Sequence, residues 1–195
     1  MQPLGIEDVK ACEEYERERT LVRRRVIELK EYRRITVGES ISLVFENRDT
    51  LLFQIHEILR AEGIVDLKRI QEEVDAYNAL LPAAGELSAT MFIEITDSEK
   101  VKESLDALRG IDQGQWVAIC IGPYRINGVF EGGRSSEEKI SAVHYVRFQI
   151  PEELIEPMRN PYVPVAISID HPNYTASARV SMKTRFSFMA DLGVD

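Results

Sequence analysis

The chain has 195 residues, of which 44% are hydrophobic and 29% charged. This length and composition are typical of one globular domain, so we expect a single domain over residues 1–195. The formal net charge is −9 and the pI is near 5.0. Because such a charge repels phosphate groups and anionic lipid, we expect no nucleic-acid partner and no membrane partner.

The two cysteines, Cys12 and Cys120, lie far apart and form no CxxC pair, which argues against a disulfide framework and against a cysteine metal site. The first ten residues include Glu7 and Asp8 and lack the apolar run of a secretory signal. No stretch approaches the roughly 18 apolar residues that a membrane span requires. By elimination, we expect a cytoplasmic protein.

The N-terminal segment, residues 7–34, is dense in Glu and Arg, and Val22, Val26 and Leu29 recur in it at helical spacing. This pattern predicts an amphipathic helical N-terminus. An amphipathic terminal helix is able to pack against its own copy, so a homodimer is one expectation.

The arginines of this segment allow two interpretations. Arg23, Arg24 and Arg33 belong to clusters that are able to receive an anion. Alternatively, acidic and basic residues four positions apart pair along one solvated face of the helix. Both interpretations are open at this point.

The body of the chain, residues 35–192, combines strand and helix patterns. Strand patterns occupy residues 35–46, 87–95, 116–122, 124–131, 141–150 and 162–169. Helical patterns occupy residues 49–63, 66–82, 101–110 and 151–158, and residues 174–192 fit either state. Strands separated by helices of varied length favour an α+β fold, with a mostly antiparallel sheet and helices packed on it.

The common catalytic motifs are absent: there is no phosphate loop, no GxGxxG and no GxSxG. His56 and Glu57 resemble the start of a zinc-protease HExxH helix, but Arg60 stands where the second histidine ligand is required. We therefore interpret His56 and Glu57 as residues on the polar side of their helix.

His144 and His171 share the strand parity of the apolar residues around them, so both imidazoles are predicted to point toward the core. If the two strands are neighbours, the rings meet and are able to bind a divalent metal ion, with Glu94 or Asp170 as a carboxylate ligand. Both carboxylates have the opposite parity, which requires a twist or bulge. Histidines that make hydrogen bonds inside the core are the alternative.

Several separated blocks carry a resemblance to a known family: SISLVFENRDTLLFQIHEILRAEG, ELSATMFIEI, SAVHYVRFQI and AISIDHPNY. In this order they resemble an uncharacterised bacterial family, known only as a domain of unknown function, over residues 7–192. The family has no established activity, so no catalytic residue transfers to this chain. Genes of similar proteins often neighbour rubrerythrin-like and iron-sulfur oxidoreductase genes, which implies a link to redox or oxidative-stress physiology.

Three functions are therefore open. The first is a non-enzymatic accessory or binding protein that associates with a redox protein partner. The second is a metal-dependent enzyme or a metal-binding protein that uses His144 and His171. The third is a domain that binds a small anionic molecule.

Overall fold

The computed structural model describes residues 1–97, 99, 101–132 and 140–194. The α helices in these ranges are α1 (Cys12–Arg33), α2 (Arg48–Glu62), α3 (Leu67–Asn78), α4 (Val101–Ala107), α5 (Ile155–Arg159) and α6 (Met182–Leu192). The strands are β1 (Arg34–Val37), β2 (Ile41–Glu46), β3 (Glu86–Ile93), β4 (Val117–Ile121), β5 (Tyr124–Asn127), β6 (Val129–Phe130), β7 (Val143–Gln149), β8 (Val165–His171) and β9 (Tyr174–Arg179).

Two antiparallel sheets form the centre of the fold. The first has the strand order β1-β2-β3-β7-β6, and the second has the order β5-β4-β8-β9. Their inner faces pack into one core, to which Phe45 and Phe148 contribute from the first sheet and Ile119 and Ile167 from the second. The α+β prediction is therefore confirmed, and the antiparallel strands are divided between two sheets.

The outer face of the first sheet is covered by α2 and α3. Leu51 and Ile55 of α2, Val74 of α3 and Tyr145 of β7 belong to one apolar cluster in this layer. The Asn47 side chain caps α2 by accepting a hydrogen bond from the Thr50 amide at 3.0 Å, as helix N-termini favour. Burial of one apolar face is what holds these helices on the sheet.

The predicted N-terminal helix is confirmed as the single helix α1. It lies antiparallel to α2, since Tyr15 near its start contacts Glu57, whereas Lys30 near its end lies 5.9 Å from the ring centre of Phe53. One ridge of α1 faces inward, and its residues are spaced alternately by four and three positions. They are Tyr15, Arg19, Val22, Val26, Leu29 and Arg33. In the described ranges, no helix combines the length and apolarity that crossing a membrane requires.

Arg33 at the end of this ridge is completely buried. Its guanidinium donates to the carbonyl oxygens of Phe45 at 2.8 Å and Glu46 at 3.1 Å, and it forms an ion pair with Asp191 of α6. Arg33 therefore joins α1 to β2 and α6 inside the fold, and its contacts there are with other parts of the chain. Arg23 and Arg24 are exposed on α1.

Candidate functional site

His144 lies on β7 with its ring fully buried. It pairs with Met91 of β3 and so occupies the inner face of the first sheet, as its parity predicts. Its Nε2 is 2.8 Å from the carbonyl oxygen of Ser141, and its Nδ1 is 3.6 Å from Oδ2 of Asp112. The position next to a carbonyl and a carboxylate suits a core histidine that makes hydrogen bonds.

His171 ends β8 and therefore belongs to the second sheet. Its Nε2 is 3.0 Å from the carbonyl oxygen of Arg109, and its Nδ1 accepts a hydrogen bond from the Asn173 amide at 3.3 Å. The Trp116 ring packs edge-on against it, with 5.6 Å between ring centres. Both nitrogens of His171 are thus engaged by the backbone.

Glu94 lies on the other side of the first sheet from His144. Its carboxylate accepts from the Ser42 hydroxyl at 2.6 Å and from Arg34 at 2.9 Å, and these contacts, the Ser42 bond first, lower the pKa of Glu94. Within the ranges that the structure describes, no group of three or more His, Cys, Asp or Glu residues is arranged to hold a metal ion. The metal site stays a prediction.

A small apolar pocket lies between α1 and α2, with a volume of about 160 Å³. A cavity of about 150 Å³ is enough to bind one benzene ring. Its apolar walls are Val22, Val26, Leu52 and Phe53, and its polar lining residues are Lys10, Tyr15, Arg25, Asp49 and His56. The size and lining of this α1–α2 pocket suit one small ring with a polar substituent.

His56 is the buried polar residue of the α1–α2 pocket, with 5% of its surface exposed. The Lys10 amide donates to its Nε2 at 2.9 Å, so the neutral ring carries its proton on Nδ1. Burial, followed by the charge of Lys10, lowers the pKa of His56 and keeps the ring neutral. No described residue accepts a hydrogen bond from Nδ1, and Nδ1 is not fully buried, so this N–H is accessible where His56 lines the pocket.

The interpretation of His56 as a residue on the polar side of α2 is therefore wrong. The apolar spacing in α2 predicts one buried face of this helix, the face toward the sheet. α2 is covered on a second side by α1, and His56 lies on that side. A sequence pattern within α2 does not show which other helix packs on it.

Tyr15 of α1 holds the His56 ring, and Arg19 of α1 and Glu57 of α2 hold Tyr15. The Tyr15 ring stacks on the imidazole with 4.5 Å between ring centres and 13° between ring planes. Its hydroxyl donates to Glu57 at 2.8 Å, and Arg19 donates to both oxygens of the same carboxylate at 2.8 Å. This bidentate contact fixes the carboxylate and, through it, the Tyr15 ring.

The same contacts decide the protonation states of the cluster. The hydrogen bond from Arg19 is the main reason that the pKa of Glu57 falls to about 2. Burial, then the hydrogen bond to Glu57, raises the pKa of Tyr15 far above neutral. These shifts leave His56 neutral, Tyr15 protonated and Glu57 ionised at neutral pH.

A charged groove with a volume of about 430 Å³ lies beside the α1–α2 pocket, on the side toward α6. Arg25, Val26 and Asp49 line both spaces, so the two spaces are adjacent. Lys183 of α6 lies at the groove with its Nζ 4.3 Å from the ring centre of Tyr32. We call this space the α1–α6 groove.

Tyr15, Arg19 and Glu57 are not recognisable from the sequence as members of one cluster. A signal for Tyr15 was present, since it precedes Val22 and Val26 by seven and eleven positions on the same ridge of α1. Glu57 carries no such signal, because its partners lie 38 and 42 residues away in the chain.

Comparison with known families gives a match over residues 3–192 to the family described as protein of unknown function (DUF3501). The chain belongs to this family. A solved structure of similar fold is described as a novel protein of unknown function from Burkholderia pseudomallei K96243. It is 30% identical, each chain covers 100% of the other, and the TM-score is 0.89. No curated protein matches the chain. The expected membership of an uncharacterised family is confirmed, and the family supplies no activity.

Proposed function

We propose that the protein is a non-enzymatic binding protein whose α1–α2 pocket holds a small apolar molecule with one hydrogen-bond acceptor. The observation that carries this proposal is the buried, neutral imidazole of His56, whose Nδ1–H is accessible at the pocket. A hydrogen bond from this N–H to an acceptor on a ligand contributes about 0.5–1.5 kcal/mol to the binding free energy. The apolar walls provide the remaining affinity.

Binding fits the cluster better than catalysis does. Tyr15, His56 and Glu57 all have pKa values moved away from neutral pH, in the directions that keep each in one protonation state. Arg19 and Glu57 brace the Tyr15 ring, and the ring braces the imidazole. A donor held in one position and one protonation state is suited to recognising an acceptor.

Two larger cavities are less suited to recognising a small molecule. A space of about 460 Å³ lies beside the β1–β2 turn, but Tyr174 at its wall already donates to the Val37 carbonyl and accepts from the Ser40 amide. A space of about 520 Å³ beside α5 is lined by Glu156, Arg159 and their neighbours on an open surface. Neither is lined by a buried histidine among the described residues.

The test uses phenol, which carries an acceptor oxygen on a single ring, and toluene, which does not. The chain has three histidines, so ¹⁵N-labelled histidine gives three sets of imidazole signals. We expect phenol to shift the signals of His56 and to leave those of His144 and His171 in place. Toluene should bind more weakly than phenol. Unchanged His56 signals at saturating phenol contradict the proposal.

Two substitutions on α1 provide a matched pair. Val22 lines the α1–α2 pocket, and Val22→Phe places a ring where the ligand would lie. The neighbouring Leu21 is 61% exposed, so Leu21→Phe adds the same ring type on the outside of the helix. We expect only Val22→Phe to abolish phenol binding. Equal phenol affinity in both variants overturns the proposal.

A further inference from the structure

The α1–α6 groove adds a second recognition element beside the α1–α2 pocket. Arg25 lines both spaces, and Lys183 lines the groove. In the described part of the chain neither forms an ion pair, and Lys183 only contacts the Tyr32 ring. By contrast, Lys10, which also lines the pocket, is paired with Glu14 and Glu18.

The two acidic residues of the groove do not neutralise these cations by contact. Asp49 lies in the first turn of α2, where the partial positive charge of the helix N-terminus stabilises a carboxylate. Glu28 is exposed on α1. Arg25 and Lys183, which have no ion-pair partner in the described part of the chain, are therefore available to pair with a negative group in the groove.

We infer that the ligand is a small amphipathic carboxylate: its ring occupies the α1–α2 pocket, with an acceptor at His56, and its carboxylate lies between Arg25 and Lys183. This inference rests on the proposed function and names the chemical class of the ligand. The observation behind it is that pocket and groove are adjacent and share Arg25, Val26 and Asp49 as lining residues. A guanidinium is the side chain that binds carboxylates in a planar, bidentate way.

The test compares 3-(4-hydroxyphenyl)propionate with its primary amide, which has nearly the same shape without the charge. We expect the acid to bind the full chain about five- to tenfold more tightly, as two partly solvated ion pairs allow. Added salt should weaken binding of the acid and leave that of the amide nearly unchanged, because exposed ion pairs are screened. Equal affinities for acid and amide overturn this inference while leaving the proposed function intact.

Charge substitutions locate the carboxylate. Arg25→Gln and Lys183→Gln should each remove part of the preference for the acid, whereas Asp49→Asn should increase it. Arg24→Gln is the matched control, because Arg24 is exposed on α1 and lines neither space. Equal effects of Arg24→Gln and Arg25→Gln show a general charge effect and overturn the inference. If phenol, the acid and the amide all fail to bind, the proposed function itself fails.

Discussion

Arg33 and Asp191 form a buried ion pair across 158 positions of the chain. The pair joins the end of α1 to the last turn of α6, and the Arg33 guanidinium also donates to two carbonyl oxygens at the end of β2. It therefore sets the end of α1 against the first sheet. The other end of α1 is held by Arg19 and Glu57, and the α1–α2 pocket lies between the two contacts.

Removing one partner of this pair should destabilise the fold strongly. Asp191→Ala leaves the Arg33 guanidinium buried without its counter-charge, and we expect the free energy of unfolding to fall by about 3–5 kcal/mol. Arg33→Met combined with Asp191→Leu should cost less, since neither charge is then buried. Urea unfolding at neutral pH measures both. A loss below about 1 kcal/mol in Asp191→Ala contradicts the structural role given to the pair.

Glu57 should make stability depend on pH in the acid range. Its pKa is about 2 in the folded protein against an ordinary value of 4.5, so the unfolded chain takes up the proton first as the pH falls. The stabilisation is therefore fully present above pH 4.5 and is lost as the pH falls toward 2. The difference in free energy of unfolding between the protein and Glu57→Gln should shrink over that interval.

The control for the acid titration is Glu13→Gln. Glu13 is exposed on the same helix, so its substitution should change stability far less over the same pH interval. If Glu57→Gln and Glu13→Gln have the same pH profile, Glu57 is not held by Arg19 in solution.

The turn between β1 and β2 should not tolerate a side chain. Gly38 has φ +73°, and an added Cβ would collide with the Tyr174 hydroxyl, which bonds the Val37 carbonyl. Gly63 has φ +63° but open space around it. We expect Gly63→Ala to cost about 1–2 kcal/mol for the left-handed backbone alone. Gly38→Ala should cost clearly more in thermal unfolding, and equal costs would contradict the close contact.

The metal hypothesis makes its own prediction. If His144 and His171 bind a divalent ion, protein purified without chelator and without a metal-binding tag contains near one equivalent of iron, zinc or manganese. His144→Ala and His171→Ala should then both abolish it. Elemental analysis that finds the same metal content in both variants as in the parent protein excludes these two histidines as ligands.

The redox link implied by the family resemblance is tested separately. It predicts a stable complex between this protein and an oxidoreductase encoded beside it. Co-purification from the native cell under gentle conditions, followed by mass spectrometry, measures this. Recovery of the protein without such a partner counts against an accessory role and leaves the proposal of small-molecule binding untouched.

Much of the local structure was predictable because it depends on short-range patterns. The alternation in residues 87–95 predicted β3, and the spacing of Val22, Val26 and Leu29 predicted α1. The secondary structure of residues 174–192 is ambiguous in the sequence. β9 alternates half-buried and exposed residues, most of them small, whereas α6 buries Phe188 and Met189. The weak strand pattern gave no clear boundary between the two elements.

The candidate site was much less predictable. Parity correctly placed His144 and His171 toward the core, but parity does not show that they belong to different sheets. The apolar stripe of α2 faces the sheet, so the sequence predicts that His56 lies on a polar face. The packing of α1 on another side of α2 cannot be read from that stripe. Which helix packs on which is decided by contacts between distant parts of the chain.

The sequence by itself determined the α+β class, the antiparallel strands and the inward ridge of α1. Each element buries one apolar face, and the spacing of its apolar residues shows which face that is. Only the tertiary structure decided where the charges on that ridge find partners. Arg19 and Arg33 have the same ridge position and look alike in sequence, yet one meets Glu57 beside a pocket and the other meets Asp191 in the interior. Ion pairing depends on proximity in space, and proximity across 38 or 158 residues is a property of the folded chain.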